Sequence, residues 1–298
     1  MPAAERPSCS SLSRALAEGQ EATASRLRFW LMVEQPGPWG HDALVQSGFP
    51  PEAGARLRLQ GGGLGLRVLL IKRRDRPERG PRRCFAAFTG RRDRALRSFE
   101  IDDPHELLDL DLPALVRSRF RGLGAPMEGP LFLVCTHGKH DACCARHGAP
   151  LSRALTGIEG EHWEATHVGG DRFAGNLVCF PHGLYFGRVP PGAARSVADG
   201  YARGRIALDY YRGRSCFEPA VQAAEHHLRR AGGLVGVEDL VLAGHRRDGD
   251  IHAVDFLARG VVHTVEVEEL WAHERPLTCK SLHPHRPRHY VLRRMERG

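Results

Sequence analysis

The hydrophobic positions of this chain cluster into short runs that divide it into repeated elements. Residues 26–34, RLRFWLMVE, form an apolar run of strand length and predict a buried strand. Two prolines and two glycines over 35–40 predict a turn, and 41–47 the start of a short helix. Positions 51–60 carry apolar residues at helical spacing, closed by Gly61-Gly62-Gly63. Leu66–Ile71, Cys84–Thr89 and Ser98–Ile101 read as strands, with a surface loop over 73–83. The order is β-α-β-β. A helix over 104–121, with Asp103 as N-cap, and a turn over 122–129 lead into a second unit.

That unit repeats the pattern. Leu131–Cys135 predicts a strand, 137–144 a loop, Ala145–Leu155 a helix and Trp163–Val168 a strand. Leu177–Phe180 and Leu184–Val189 predict a hairpin around Pro181-His182-Gly183. After Pro190-Pro191-Gly192 the character changes. Helices are expected over 193–212 and 217–231, then strands over 234–242, 252–257 and 261–267, then a weakly ordered basic tail. The expected class is α/β, organised as an N-terminal arm (1–25), a first unit (26–122), a second unit (123–192) and a C-terminal α+β segment (193–298).

At 298 residues, with 42% apolar and 26% charged residues, the composition is that of a globular protein rather than a disordered or fibrous one. The N-terminus holds no apolar stretch of signal-peptide length, and the longest apolar runs are too short for a bilayer span. A cytoplasmic protein without a membrane partner is expected. The net charge of +8 comes almost wholly from arginine, and acids break up the basic runs, as in Arg91-Arg92-Asp93-Arg94. That pattern does not favour nucleic acid, which needs a compact basic patch. The arginine-rich stretch 72–97 reads as a solvated face. Its functional alternative is a docking patch for an acidic electron carrier.

Candidate chemistry concentrates in one region. Of eight cysteines, Cys9, Cys84, Cys216 and Cys279 stand alone and read as structural. Cys135, Cys143, Cys144 and Cys179 lie close together, alongside His137, His140, His147, His162, His167 and His182. Cys135 at a strand end and Cys144 at a helix start, joined by a glycine-containing loop, suit a converging ligand pair. Lys139 and the helix N-terminus favour thiolate over thiol. His167 and Asp171 are four apart and share a face if a turn of helix begins there. Gly169 and Gly170 allow a close approach of backbone to a bulky inorganic core. Arg172 reads either as a surface residue or as a balance to cluster charge. Cys143 reads as a helix residue, with substitute ligand or resolving thiol as alternatives; Cys179 reads as core. His137 and His140 read as groups around the ligands, and Asp171 alternatively as an N-cap.

The WLMVEQPGPWG, CTHGKHDACCA and THVGGDRFAGN segments, with the Arg-Gly-Arg-Ser-Cys stretch and the helix after it, resemble the sucrase/ferredoxin-like family of thioredoxin-like ferredoxins. The resemblance implies two thioredoxin-like units, with a [2Fe–2S] cluster in the second. Family members with a characterised cluster use two cysteines and two histidines. The cysteines fall on Cys135 and Cys144 and the first histidine on His167, but the second falls on Asp171. A carboxylate is a harder ligand than imidazole and adds negative charge, which lowers the expected potential.

The expected function is electron transfer with an unidentified protein donor or acceptor. Zinc on the same ligands is the alternative, in a structural or regulatory role. A thiol redox enzyme acting through Cys143 and Cys144 is a second alternative, weakened by the absence of Cys-x-x-Cys. A redox carrier is favoured over a substrate-converting enzyme. No spaced carboxylate pair supports a glycosidase, so sucrase activity is not expected.

Overall fold

The computed structural model describes residues 7–73 and 80–298. After α1 (Cys9–Ala15), the first unit contains β1 (Phe29–Glu34), α2 (Pro51–Leu64), β2 (Leu66–Lys72), β3 (Arg82–Thr89), β4 (Arg94–Ile101), a 3-10 turn (Pro104–Leu108), α3 (Leu112–Arg117) and the edge strand β5 (Ala125–Pro126). The second contains β6 (Leu131–Cys135), α4 (Ala142–Ala154), β7 (Glu161–Ala165), β8 (Leu177–Phe180) and β9 (Leu184–Phe186). Then come α5 (Ala194–Ala202), β10 (Tyr211–Arg214), α6 (Pro219–Gly232) and a meander of β11 (Val241–Asp248), β12 (Ile251–Ala258), β13 (Val261–Trp271) and β14 (Arg288–Arg297).

Ten strands form one mixed sheet in the order β10-β9-β8-β6-β7-β2-β1-β3-β4-β5. Within it the units have the same topology. β1 runs parallel to β2 and antiparallel to β3, which pairs antiparallel with β4. Likewise β6 runs parallel to β7 and antiparallel to β8, which pairs antiparallel with β9. This is the strand order of thioredoxin-like sheets. The units join edge to edge through β2 and β7, antiparallel, at Ile71↔Ala165 and Lys72↔Glu164. Both parallel pairs have a helix as their crossover, as chain connectivity requires. β11–β14 form a separate antiparallel sheet covered by α6.

Burial explains the strand patterns. Every residue of β6 is buried, because the strand is central and both its faces are covered. On one face the units pack on each other, with Trp30 edge-on to Phe180 at 5.1 Å and Phe85 edge-on to Trp163 at 5.7 Å. On the other, α2 and α3 cover the first unit and α4 and α5 the second.

Several boundaries differ from the sequence reading. α2 continues through Gly61–Gly63 and stops at Gly65, which is left-handed at φ 65°. The helix expected over 104–121 is broken around Asp109–Asp111, although Asp103 does cap its start with a reciprocal Glu106 contact. No helix forms over 41–47. The helix expected over 193–212 ends at Ala202, and its last residues enter β10. The strand expected over 234–242 starts only at Val241. The expected loose tail instead pairs along β13 as β14, and the arm buries Cys9, Ser10 and Ser13. Part of the 73–83 loop lies outside the described residues. No described helix is long and apolar enough to cross a membrane.

Candidate metal centre

Two connections of the second unit build the site. The first is residues 136–141, between β6 and α4. β6 ends on Cys135, whose N–H donates to the Asn176 carbonyl at 3.1 Å. Asp141 caps α4 by accepting from the Cys143 N–H at 2.9 Å. The helix therefore starts three residues earlier than expected, and its first turn contains both Cys143 and Cys144. There the helix dipole favours thiolate.

The second is residues 166–176, between β7 and β8. Thr166 extends the β2–β7 junction: its N–H donates to the Leu70 carbonyl at 2.9 Å, and its Oγ1 accepts from the Leu70 N–H at 3.1 Å. His167 follows directly. Gly169 and Gly170 then turn with φ 105° and 79°, a conformation that side chains disfavour. What they make room for is protein. A Cβ on Gly169 would lie 2.3 Å from Ser25 Oγ, and one on Gly170 2.2 Å from Arg212 Nη2. The inorganic core expected against this glycine pair is thus replaced, at these contacts, by a serine and a guanidinium.

Arg212 is the clamp that the sequence reading missed. Fully buried, it donates to the Gly169 carbonyl (3.1 Å), Asn176 Oδ1 (2.8 Å), Thr23 Oγ1 (2.9 Å) and the Thr23 carbonyl (2.6 Å). Asn176 Nδ2 in turn donates to the Gly170 carbonyl at 2.8 Å. One arginine thereby fixes the turn that presents His167 and Asp171. The sequence signals were the Arg-Gly-Arg-Ser-Cys stretch that Arg212 opens and the asparagine that closes the GGDRFAGN string.

The ligand atoms of Cys135, Cys144 and His167 lie within 4.8 Å of one another, as do those of His140, His167 and Asp171. Cys144 Sγ donates to Asp171 Oδ1 at 3.1 Å, and His167 Nδ1 lies 2.8 Å from the same oxygen. Asp171 opens a 3-10 turn (Asp171–Phe173) whose N-cap is Gly170, so the N-cap reading of Asp171 does not hold. His140 stacks on the His167 ring with centroids 3.9 Å apart. His137 is held elsewhere, its Nε2 2.7 Å from the Gly40 carbonyl. The His167 side chain is 29% exposed and Asp171 1%. The site is thus closed below and open at the imidazoles, toward a surface cavity that His41, Arg58 and Arg67 also line.

Electrostatics couples these donors through shared protons, lowering Cys135 and Asp171 and raising Cys144 and His167. The hydrogen bond from Cys144 holds Cys135 well below the usual thiol range, against its burial and with help from His167. Its partner Cys144 is raised correspondingly by Cys135, burial and Asp171. Burial opposes a charged His167, but the Asp171 carboxylate and the Cys135 sulfur outweigh it and raise the ring to about 9. Asp171 is lowered because His167 outweighs the cost of burial. Among the described residues, the buried Asp171 Oδ2 has no hydrogen-bond partner. An unpaired buried acceptor costs free energy and fits a missing electrophile. Two soft sulfurs, an imidazole and a carboxylate are a suitable donor set for zinc or an iron–sulfur cluster.

The remaining expected residues sit apart from this cluster. Lys139 is exposed, and its carbonyl accepts from Lys280. Arg172 turns away to Glu18 at 2.9 Å, lying over the Phe173 ring, so its charge balances a carboxylate of the arm. Cys179 is core and Cys143 faces α1. In the arginine-rich stretch, Arg83 pairs with Glu100 and Glu161, and Arg94 with Glu238. Residues 74–79 of that stretch lie outside the described ones.

Comparisons with known proteins agree in part. The chain is 34% identical over 95 residues to "Altered inheritance of mitochondria protein 32" of Meyerozyma guilliermondii, covering 28% of this chain and 34% of that protein. It is 31% identical over 106 residues to the protein of the same name from Eremothecium gossypii, covering 30% and 34%. The chain spans about a third of the length of these curated relatives. A solved structure, the Cys55Ser variant of the thioredoxin-like [2Fe–2S] ferredoxin from Aquifex aeolicus, aligns over 28% of this chain and 96% of its own. Its identity is 14% and its TM-score 0.25. The family model described as sucrase/ferredoxin-like matches residues 22–213, which include both connections of the site, and the chain belongs to that family.

Proposed function

We propose that this protein is a one-electron carrier that holds a [2Fe–2S] cluster on Cys135, Cys144, His167 and Asp171. The supporting observation is the convergence of two sulfurs and an imidazole from separate connections, beside a buried carboxylate oxygen that lacks a hydrogen-bond partner among the described residues, with His140 Nε2 3.7 Å away. When bound, such a cluster takes up and returns one electron. The residues supply the rest. Cys135 and Cys144 bind as thiolates from the closed floor of the site. Asp171 binds from within the buried part of the site and His167 from its open rim, and the exposed part of the His167 ring gives a proton a place to enter and leave with the electron. His140, stacked on that ring, covers one of its faces. The Asp171 carboxylate makes the oxidised centre one unit more negative than a Cys₂His₂ centre and favours the oxidised state. The partner is a protein electron donor or acceptor that meets this imidazole face.

A single zinc ion is the competing reading, and the compactness of the site favours it: all three ligand atoms already lie within 4.8 Å. Anaerobic purification followed by iron, zinc and acid-labile sulfide analysis separates the two. The proposal expects brown protein with iron and sulfide in equal amounts, and an EPR signal on reduction. Colourless protein whose zinc leaves on Cys135→Ser replaces it with the zinc reading.

A further inference from the structure

Three cysteines outside the described centre meet at the start of α4. Cys9 comes from α1, Cys143 from the first turn of α4, and Cys279 from the chain between β13 and β14. Their sulfurs form a near-equilateral triangle: Cys9 to Cys143 is 3.6 Å, Cys143 to Cys279 3.5 Å and Cys279 to Cys9 3.6 Å. Asp141 lies against the triangle, its oxygens 3.7 and 3.8 Å from the Cys9 sulfur. Cys9, Cys143 and Asp141 are buried, and Cys279 is half-buried. Of the three cysteines only Cys143 lies in the densest Cys/His region, and Cys9 and Cys279 read as isolated structural cysteines. The fold brings them together across almost the whole chain.

The dimensions match one ion. A tetrahedral zinc with Zn–S bonds of about 2.3 Å places its sulfurs about 3.7–3.8 Å apart, and a shorter Zn–O bond brings a carboxylate oxygen slightly closer. The three edges need only a slight opening. The surroundings are those of metal-bound thiolates. Ser10 Oγ donates to Cys143 Sγ at 3.1 Å and the Cys9 N–H to Cys279 Sγ at 3.4 Å, so these sulfurs act as acceptors. Asp141 is oriented by the N–H groups of Cys143 (2.9 Å) and Cys279 (2.7 Å), and both its oxygens retain acceptor capacity beside the Cys9 sulfur. Three soft donors and one carboxylate select zinc over magnesium or calcium.

We propose that Cys9, Cys143 and Cys279, with Asp141, form a second metal site that binds a structural Zn²⁺. On binding, the three thiols lose their protons to solvent and no electrons move. The ion ties α1 and the chain leading to β14 onto the first turn of α4, where the next residue, Cys144, belongs to the other centre. This inference does not depend on the iron–sulfur reading.

The test uses the full chain carrying Cys135→Ser and Cys144→Ser, which removes the first centre. Zinc analysis after exhaustive dialysis should give about one zinc per chain, and X-ray absorption three sulfur neighbours at about 2.3 Å. Adding Cys279→Ser should cut zinc at least tenfold, while Cys84→Ser in the same background should leave it unchanged. If Cys279→Ser fails to fold, Cys279→His serves instead: retained zinc with two sulfur neighbours supports the site, and unchanged sulfur count rejects it. Protein free of zinc when purified with zinc present, or with a disulfide between two of these cysteines, overturns the proposal.

Discussion

At the register where β6 ends on Cys135, β1 ends on Glu34. The correspondence runs across the sheet junction, since Glu34 pairs with Ile71, Ile71 with Ala165 and Ala165 with Cys135. From there the halves diverge. In the second unit only residues 136–141 intervene before α4, and an aspartate cap fixes the helix start next to the strand end. In the first unit residues 35–50 intervene, they bury Trp39 and Phe49 in the core, and α2 starts after Pro50 without a side-chain cap. Glu34 accepts a hydrogen bond from the Arg83 N–H at 2.8 Å and is used up in the sheet. The same strand order thus makes a packed scaffold in one half and the candidate metal centre in the other. One difference lies in the length and capping of the strand-to-helix connection.

The comparison breaks most readily at the sulfurs. Cys135→Ser or Cys144→Ser should remove iron and sulfide altogether, whereas Cys84→Ser in the first unit and Cys179→Ser in the second should retain both, by metal analysis and visible absorption. His167→Ala should lose most of the cluster, with residual occupancy several-fold below wild type. Asp171→His should keep the cluster and raise its potential, measured by voltammetry; an unchanged potential and spectrum would take Asp171 out of the ligand set. Leu57→Ala on α2 should cost about 3 kcal/mol of unfolding free energy, because Leu57 is fully buried, and leave the potential untouched.

The smallest effect concerns acid. Glu18 sits between Arg172 (2.9 Å) and Arg275 (2.7 Å), and these charges outweigh its burial and hold it below the usual carboxylate range. A depressed carboxylate stabilises the fold above its unfolded value near 4.5 and loses that contribution as pH falls through its folded value. Denaturation midpoints of wild type and Glu18→Gln should therefore differ at pH 7 and converge in acid.

β1, β2, β3, β6 and β8 were legible because their apolar runs are bounded by proline and glycine, whereas β4 (RALRSFEI) and β7 (EHWEA) carry charged residues and were placed only in part. Cys135, Cys144 and His167 were legible because thiols and imidazoles crowd one stretch. The role of Arg212 was not: the resemblance marks the stretch it opens, but only the fold brings it under the Gly169–Gly170 turn. Cys9 and Cys279 were not, because no local spacing reveals sulfurs that converge from opposite ends of the sequence. The β14 strand was hidden by arginines on its exposed face, since a strand with one buried residue type in several shows little apolar pattern.

Pulsed EPR on the reduced protein, with histidine labelled by ¹⁵N, tests the central claim most directly. The account predicts strong coupling to nitrogen from a single histidine ring, with the signal carried by His167. A reduced cluster with no strongly coupled histidine nitrogen would contradict it.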